Sequence, residues 1–566
     1  MRIRFITAGI LVLGLLLTGR LYQVQVMASD HYQARAQEQY VHTTQDLYSR
    51  GSILFTTKHG EQVSAASIRS GYVLAVNPER VQAAAESCAT IAAYISLSSE
   101  ACTDRATRPA RTYVELDTKV SDAAAEAIEA LDLPGFMLYR TQWRYYPGKS
   151  MAARSIGFVG YTESSGSQLH GKYGLERYYD QVLYRDRSAR SVDFFAEIFS
   201  NLGEFVYDRA DERQGDIVTT LEPTVSRMLD GVLEATNERY ESDLTGAIIM
   251  DPDTGAIYAL NAVPSFDLND RTDATIEQFQ NPLVENVYEF GSTFKPLTIA
   301  AGLDSGAITP SSTYYDGGSI ELDTFTIRNY DGRGRGTVDM QEVLNQSLNT
   351  GVAHIVQQMG KERFRDYFLD FKLGSETGID LPYEVHGLVE NLRSPRDVEY
   401  ATASFGQGIA VTPIAAARAF ATLGNGGHLV TPHLVSRIEY ADGSHRVVQY
   451  PDGDQVLSPE TSEEISRMLT NVVDDALLGG QVALSHHTIG AKTGTAQIPD
   501  PEQGGYYEDR YLHSFFGYAP AYDPEFLVFM YTVDPKGVRY ASETLTEPFM
   551  EITRFLLNYY SIPPDR

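Results

Sequence analysis

The chain is poor in cysteine and in positive charge. It holds two cysteines, Cys88 and Cys102, which are fourteen residues apart, and no Cys/His cluster with the spacing of a zinc site. The pair can form a disulfide if this region lies outside the cytoplasm, and two unpaired thiols are the alternative. Lysine and arginine number 46 against 75 acidic residues, a formal net charge of −29. This balance argues against nucleic acid or an anionic membrane surface as a partner.

Low-complexity tracts and short-period repeats are absent as well. With 43% hydrophobic residues, the composition is that of a globular protein. The length of 566 residues suffices for two or three domains, each with a core of its own. We therefore interpret the chain as a multidomain globular protein.

One uncharged apolar segment stands at the N-terminus. Phe5–Gly19 is rich in Leu, Ile and Val, with Arg2 and Arg4 before it and Arg20 after it. A helix of these 15 residues spans about 22 Å, and snorkelling arginines with a helical continuation would complete the roughly 30 Å of hydrocarbon. The leading positive charge places the N-terminus in the cytoplasm. The pattern predicts an uncleaved single-pass anchor over residues 1–26, and a signal peptide cleaved after Ala28 is the alternative.

Three short strings follow one another in a fixed order: Ser292-Thr-Phe-Lys295, Ser347-Leu-Asn349 and Lys492-Thr-Gly494. Residues i and i+3 share one face of a helix, so Lys295 can reach the hydroxyl of Ser292. A serine needs a partner that takes its proton, and a lysine does this when burial and a second cation lower its pKa. Lys492 is the candidate for that second cation. The three strings together indicate a serine acyl-transferase.

The residues around these strings carry a family resemblance. They include Tyr288-Glu-Phe-Gly-Ser-Thr-Phe-Lys-Pro296, Gly246-Ala-Ile-Ile-Met-Asp-Pro-Asp-Thr-Gly255, Ser404-Phe-Gly-Gln-Gly-Ile-Ala-Val-Thr-Pro413 and Lys492-Thr-Gly-Thr-Ala-Gln497. Together they closely resemble the class B penicillin-binding proteins, monofunctional transpeptidases that cross-link peptidoglycan. The resemblance implies an α+β fold: a transpeptidase domain like that of penicillin-binding proteins and serine β-lactamases, with an antiparallel sheet flanked by helices.

The resemblance also implies a role for each site residue. Ser292 is the nucleophile, Lys295 its general base, and Ser347 relays a proton to the leaving amine. Asn349 hydrogen-bonds to the acyl-chain amide and to Lys295, and Lys492 supplies positive potential. Thr493, Gly494 and Thr495 bind the substrate, and the two threonines bind its carboxylate. The backbone N–H groups of Ser292 and Thr495 form the oxyanion hole. No metal and no cofactor are expected.

The N-terminal third is expected to be a non-catalytic, elongated pedestal over residues 27–215, ahead of a transpeptidase domain over residues 216–566. Arg50-Gly-Ser-Ile53 and Gly174-Leu-Glu-Arg-Tyr-Tyr-Asp180 resemble elements of the family's pedestal. No acidic pair in a Glu-Asp-x-x-Phe setting occurs before residue 220. A bifunctional synthase with a glycosyltransferase domain is therefore excluded.

Local patterns predict several elements. Helices are expected over Val81–Leu97, Ser121–Leu131 and Pro223–Arg239, with helices dominating from Phe294 to about Leu423. Strands are expected over Ala247–Met250, Ile257–Leu260, Lys492–Gln497, Ser514–Tyr518 and Phe526–Val533. An antiparallel sheet interrupted by a helical insertion is an α+β plan.

The function that follows is a peptidoglycan D,D-transpeptidase, inhibited covalently by β-lactams, on the extracytoplasmic side of the cytoplasmic membrane. Asn349 and Thr493 favour the septal type, which works beside a polytopic glycan polymerase and other division proteins on stem peptides and lipid-linked precursor strands. The alternatives are an elongation-type enzyme, a serine β-lactamase or D,D-carboxypeptidase, and a penicillin sensor. The Glu-x-x-Leu-Asn string that supplies a deacylating base in one β-lactamase class does not occur after Ser347.

Overall fold

The computed structural model describes residues 50–109, 111–161, 169–185, 214–451 and 453–566. The predicted anchor and the first part of the predicted pedestal lie outside these residues. Among the helices of the described part, none combines the length and the apolar character that a membrane crossing needs. The described residues form two compact units, one of residues 68–144 and one of residues 50–67 with 145–566. The domain boundary expected near residue 215 stays a prediction.

The smaller unit is built around a disulfide between Cys88 and Cys102, whose Cα atoms are 5.7 Å apart. The bond joins helices Ala84–Ile91 and Ser99–Ala106, and both sulfur-bearing residues are buried in the core of this unit. Of the two states left open by the sequence, the structure therefore shows the disulfide. The other elements of this unit are the last part of strand Gln62–Val76, strands Val114–Val120 and Phe136–Tyr145, and helix Asp122–Glu129.

The helix predicted over Val81–Leu97 is wrong in its length. It ends at Ile91, and the side chain of Ser98 caps a second helix by accepting a hydrogen bond from Ala101 N. Between them, the backbone N–H of Ser96 donates to the carboxylate of Asp117. A side chain that binds the backbone in this way competes with helix continuation.

A five-stranded antiparallel sheet forms the centre of the larger unit and is called the catalytic sheet below. Its strands, in spatial order, are Gly490–Pro499, Tyr506–Ala519, Phe526–Val533, Leu244–Met250 and Ile257–Val263. All five strand predictions are confirmed in position: Phe526–Val533 has its predicted bounds, and the other four strands are longer than predicted. The first strand of this order lies at an edge of the sheet, so one side of its backbone faces no other strand of the sheet.

Both faces of the catalytic sheet are buried because its residues alternate between two cores. Ala247 and Ile249 point to one core and Ile248 and Met250 to the other. The first core is covered by helices Pro223–Arg239 and Thr546–Tyr559. The sequence predicts the first of these with its observed bounds, because Pro223 starts the helix where a missing N–H costs nothing and Glu222 caps it.

The second core is covered by a long insertion in the chain between strands Ile257–Val263 and Gly490–Pro499. The α-helices of the insertion are Ile276–Phe279, Lys295–Asp304, Met340–Asn345, Asn349–Met359, Lys361–Asp370, Asp397–Ala403, Pro413–Ala421 and Pro459–Asn471. The short helix Ala541–Thr544 lies outside the insertion, after strand Phe526–Val533. Helices dominate from Phe294 to about Leu423 as expected, but the sequence did not predict the short strands among them. Two hairpin-like pairs of strands interrupt the insertion: Thr313–Asp316 with Gly336–Asp339, and Ser319–Leu322 with Phe325–Arg328. Each strand has four residues, too few to give a clear alternating pattern.

Part of the predicted pedestal belongs to the larger unit. Strand Ile53–Thr56 pairs in parallel with Gly215–Thr219, which pairs in turn with Val435–Tyr440, and His445–Val447 extends this mixed sheet. The remaining short elements here are helices Ala153–Ile156, Gly174–Tyr178 and Asp180–Leu183 and strands Val159–Tyr161 and Leu169–Gly171.

A buried ion cluster joins the two sequence segments that resemble pedestal elements. Arg50 Nε donates to Glu176 Oε2 at 2.6 Å, and Arg50 Nη1 donates to Asp180 Oδ1 at 2.7 Å. The side chains of Arg50 and Glu176 are fully buried. The buried charge of Arg50 is tolerated because the carboxylates of Glu176 and Asp180 replace the hydrogen bonds that its guanidinium would make to water.

Candidate active site

The first motif lies at the start of a buried helix, called the serine helix below. A 3-10 turn, Gly291–Phe294, leads directly into helix Lys295–Asp304, with a proline in its first turn. Gly291 has φ +60°, and a Cβ at this position would lie 2.6 Å from the carbonyl oxygen of Thr495. Only glycine adopts this backbone without strain and fits the gap. Ser292 is partly exposed, while the residues on both sides of it are buried.

Lys295 connects the first motif to the second. Its side chain is fully buried, and Nζ donates to the carbonyl oxygen of Ser347 at 2.5 Å and to Ser347 Oγ at 3.1 Å. Within the described residues, no hydrogen bond joins Lys295 Nζ to Ser292 Oγ. The lysine thus lies one helical turn from the predicted nucleophile and is held by the serine of the second motif.

Ser347 has an uncommon backbone conformation. Its φ is +55°, in the left-handed region that non-glycine residues rarely adopt. The next residue, Leu348, donates its N–H to Val343 O, and helix Asn349–Met359 begins immediately afterwards. This tight turn directs both the carbonyl and the hydroxyl of Ser347 at Lys295 Nζ. Strain of this kind, held by surrounding structure, is frequent at functional sites.

A buried network supports the second motif from behind. Asp316, which is 1% exposed, accepts hydrogen bonds from Asn329 Nδ2 at 3.0 Å and from Thr350 Oγ1 at 2.8 Å. Asn349 Nδ2 donates to the carbonyl oxygen of Arg328 at 2.8 Å. Sequence reasoning missed Asp316, Asn329 and Thr350, because no short spacing links residues that meet only through a hairpin.

The third motif lies on the edge strand Gly490–Pro499 of the catalytic sheet. Lys492 is 3% exposed, and its Nζ donates to the carbonyl oxygen of Thr493 at 2.9 Å. Thr495 Oγ1 accepts a hydrogen bond from Ala541 N at 3.0 Å. The strand therefore brings a buried cation and two threonines to the side of the serine helix.

Gly494 permits the close contact between this strand and the serine helix. A Cβ there would lie 2.4 Å from Phe290 O and 2.5 Å from Ser514 Oγ. Ser514 Oγ donates to Phe290 O at 2.7 Å, and Thr293 Oγ1 donates to the same oxygen at 3.0 Å. Thr293 and Ser514 are buried hydroxyl groups that fix the entry to the serine helix. No short motif in the sequence distinguishes Thr293 or Ser514 from other hydroxyl residues of their turn and strand.

The electrostatics of the site follow from burial. Burial, and then the positive charge of Lys492, hold the pKa of Lys295 well below its usual range. Burial also lowers the pKa of Lys492 to about 7. Burial lowers the pKa of both lysines because a low-dielectric environment disfavours an ammonium ion, and a second positive charge nearby disfavours it further at Lys295. A neutral lysine beside a serine hydroxyl is a competent proton acceptor.

The structure brings the predicted site residues together from three distant parts of the chain. Lys295 contacts Ser347, and Lys492 acts electrostatically on Lys295. The backbone of Gly494 packs on the turn that carries Ser292. Asn349 and Thr495 border the same region, although their side chains bind backbone groups of the protein itself. The individual catalytic and binding roles stay predictions.

This arrangement defines a class of protein. A serine at a helix start, a buried lysine one turn on, and an edge strand with Lys-Thr-Gly form the site of the serine acyl-transferases that react with penicillin. Residues 245–553 match the family model of the penicillin-binding protein transpeptidase domain, and residues 49–197 match that of the penicillin-binding protein dimerisation domain. The chain belongs to the penicillin-binding protein transpeptidase family.

Relatives and solved structures agree with this assignment. The chain is 31% identical over 562 residues to stage V sporulation protein D of Bacillus subtilis, covering 97% of this chain and 84% of that protein. It is 27% identical to the peptidoglycan D,D-transpeptidase FtsI of Escherichia coli, covering 81% of this chain and 74% of that protein.

Among crystal structures, penicillin-binding protein 2X of Streptococcus thermophilus superposes with a TM-score of 0.71 at 20% identity, covering 91% of this chain and 81% of that one. Penicillin-binding protein 3 of Mycobacterium tuberculosis, complexed with aztreonam, superposes with a TM-score of 0.68 at 22% identity, covering 92% of this chain and 98% of that one. At this level of identity the two structures show the shared fold.

Proposed function

We propose that the protein is a peptidoglycan D,D-transpeptidase that works through an acyl-enzyme on Ser292. The observation that carries this proposal is Lys295, fully buried, with a lowered pKa, and bonded to Ser347 one turn from Ser292. A lysine with a lowered pKa can be neutral and accept a proton under conditions in which an exposed lysine is a cation. Family membership supplies the substrate class, the stem peptides of the cell wall.

The reaction divides into two acyl transfers. Ser292 Oγ attacks the carbonyl carbon between the two terminal D-alanines and gives its proton to Lys295. The C–N bond then breaks, and the proton reaches the leaving amine through Ser347, which is within hydrogen-bond distance of Lys295 Nζ at 3.1 Å. In the second step the amine of an acceptor strand attacks the ester carbonyl and gives a proton to Lys295. The C–O bond then breaks, the proton passes to Ser292 Oγ, and the new amide bond is the cross-link.

The edge strand binds the donor in this scheme. An extended peptide can pair with the exposed backbone of such a strand, as an added strand does. The backbone N–H groups of Ser292 and Thr495 stabilise the developing oxyanion, an effect generally worth about 3–4 kcal/mol for each donor. Thr493, Thr495 and the charge of Lys492 bind the terminal carboxylate, and Asn349 turns from Arg328 to the amide of the acyl chain. A β-lactam occupies the same positions and leaves a stable ester.

A donor peptide ending in D-Ala-D-Ala, incubated with an amine acceptor, tests the proposal. We expect release of D-alanine together with the cross-linked product, both blocked by prior treatment with penicillin. Product analysis by mass spectrometry separates the alternatives. Hydrolysed donor without any cross-linked product would identify a carboxypeptidase, and continuous turnover of nitrocefin would identify a β-lactamase.

We also propose that the chain is held at the cytoplasmic membrane by one N-terminal anchor, residues 1–26, with a non-catalytic pedestal, residues 27–215, between anchor and enzyme. The Cys88–Cys102 disulfide supports an extracytoplasmic position, because such bonds persist in oxidising compartments. The substrate of the proposed reaction is polymerised in the same compartment.

A reporter fused after Arg566 tests this topology. Alkaline phosphatase, which needs disulfides, is expected to be active there, and a fluorescent protein that folds only in the cytoplasm is expected to be dark. N-terminal sequencing of the mature protein is expected to find no new terminus at Ser29. A mature chain that starts at Ser29 would show that the apolar segment is a signal peptide.

A septal role is the narrower proposal. Asn349 and Thr493 match the division-type pattern, and relatives bear the names FtsI, PenA and PbpB. The proposed partners are a polytopic glycan polymerase and other division proteins. A fluorescent fusion that marks the side wall and avoids the septum would contradict this proposal.

A further inference from the structure

A buried histidine lies beside the strand of the third motif, and the mechanism above does not use it. His513 is 0% exposed, belongs to strand Tyr506–Ala519, and is the residue directly opposite Thr495 in the catalytic sheet. Side chains that are directly opposite in an antiparallel pair share one face of the sheet. His513 and Thr495 therefore lie side by side on the same face.

Both ring nitrogens of His513 bind one short segment of the chain, residues 539–544. Nε2 is 3.0 Å from the carbonyl oxygen of Arg539, and Nδ1 is 2.9 Å from Thr544 Oγ1. Because a carbonyl oxygen only accepts hydrogen bonds, Nε2 carries a proton. Burial lowers the pKa of His513 to about 4, so the ring is neutral at neutral pH and Nδ1 accepts a hydrogen bond from Thr544. His513 thus holds this segment near both of its ends.

Ala541 lies between these two contacts in the chain and binds Thr495. Its backbone N–H donates to Thr495 Oγ1 at 3.0 Å. Thr544 is 1% exposed, and its Oγ1 also lies 3.2 Å from the carbonyl oxygen of Ala541. The position of the Ala541 N–H is therefore set by contacts of His513 before it and after it in the chain.

The hydrogen bond from Ala541 determines what the hydroxyl of Thr495 can do. A hydroxyl has one proton to donate, and a backbone N–H cannot accept it, so the proton of Thr495 must point elsewhere. Thr495 is partly exposed, and its Oγ1 has no hydrogen-bond acceptor among the residues that the structure describes. The proton is therefore available to an acceptor that arrives from outside. An ionised carboxylate is such a group, because it accepts hydrogen bonds and donates none.

We propose that His513 is a positioning residue for recognition of the substrate's terminal carboxylate. It fixes segment 539–544, and the Ala541 N–H of that segment keeps the Thr495 hydroxyl free to donate to the carboxylate. His513 itself is buried and acts only through Ala541 and Thr495. This inference rests on the proposed transpeptidase function and adds one residue to its carboxylate site.

Two forms of one β-lactam separate this role from a general effect on the fold. Benzylpenicillin carries a carboxylate, and in benzylpenicillin methyl ester that group is blocked. The second-order rate of acylation of the full-length protein in detergent micelles is followed by intact mass. In His513→Leu, an apolar change of similar size, we expect the rate with benzylpenicillin to fall about tenfold, as for one lost hydrogen bond to a charged group. The rate with the methyl ester should stay within about twofold, because that ligand offers no carboxylate to Thr495.

Further variants test the individual contacts. His513→Gln can still donate to Arg539 O and is expected to stay within about threefold of the parent protein with both ligands. Thr544→Val removes the contact at Nδ1 and should lower only the rate with benzylpenicillin, by about threefold, which also tests the inference if His513→Leu does not fold. In a Thr495→Val background, His513→Leu should lower the rate by less than about twofold, because the hydroxyl through which His513 acts is already absent.

Matched controls make the same substitutions in buried positions elsewhere. His433→Leu replaces a histidine that contacts Thr431 O and the ring of Tyr450. Thr553→Val replaces a threonine that donates to Phe549 O within its own helix. Both controls should react with the two ligands at the rates of the parent protein.

The outcomes separate a failure of this inference from a failure of the proposed function. In His513→Leu and in Thr544→Val, a loss that is equal for both ligands would overturn the inference, and so would an unchanged rate with benzylpenicillin. A parent protein that reacts equally fast with both ligands would overturn it as well, because the carboxylate would then not be recognised. If neither ligand acylates the parent protein, the proposed function itself is wrong.

Discussion

Fluorescent penicillin is expected to lose its target completely when Ser292 is replaced by alanine. The hydroxyl is the atom that forms the ester, and no hydroxyl on a neighbouring residue replaces it, because Thr293 is fully buried and bonded to Phe290 O. Intact mass of the parent protein should rise by one β-lactam. Peptide mapping should place the adduct on the segment from Phe290 to Lys295.

Ser305→Ala, at the far end of the serine helix, is the matched control and should label normally. Ser305 Oγ donates to Gly302 O within that helix. An adduct on another serine that persists in Ser292→Ala would show that the nucleophile is misassigned.

The second large effect concerns the two lysines of the site. Replacing Lys295 by alanine is expected to lower the second-order acylation rate by about 10³-fold at every pH, within the usual contribution of a general base. Replacing Lys492 by glutamine is expected to lower it roughly 10- to 100-fold through lost carboxylate binding, and also to change its pH profile.

The direction of that change follows from the cause of the pKa shift. Burial is the larger cause of the low pKa of Lys295, and the charge of Lys492 is the second. A lower pKa means that Lys295 is neutral, and active as a base, at a lower pH. Removing the charge at 492 raises the pKa of Lys295, so the alkaline rise of the acylation rate should move to higher pH.

The measurement is the pH profile of second-order acylation for the parent protein, Lys492→Gln and Lys361→Gln. Lys361 pairs with Asp397 on the surface, so its replacement removes a positive charge elsewhere and should leave the profile unchanged. An unchanged midpoint in Lys492→Gln, with only affinity lost, would mean that Lys492 binds carboxylate without tuning the base.

The parts of the fold that the sequence predicts well are those determined by local chemistry. Helix Pro223–Arg239 has a proline at its first position and a capping Glu222, so both the start and the type of element are encoded within a few residues. Strands Leu244–Met250, Ile257–Val263 and Phe526–Val533 of the catalytic sheet are largely apolar runs, which favours burial on both faces. The ordered motifs likewise identify Ser292 and Lys295 without any knowledge of the fold.

Other features depend on contacts between distant residues and could not be predicted. The left-handed Ser347 is stabilised by its surroundings, and serine has no intrinsic preference for that conformation. Asp316 reaches Thr350 only because two short hairpins bring them together.

The topology of the catalytic sheet has a consequence for how the protein is made. Strand Leu244–Met250 pairs with Phe526–Val533, which is almost 280 residues further along the chain. Phe526–Val533 also pairs with Tyr506–Ala519, and that strand pairs with the strand that carries Lys492. Contacts of such high sequence separation form slowly, because a long loop must close before they contribute free energy. A chain emerging from a ribosome or a translocation channel therefore cannot complete its sheet until nearly the whole domain has appeared. Until then the apolar faces of Leu244–Met250 are open to wrong partners, and acylation by penicillin should be a property of the finished chain alone.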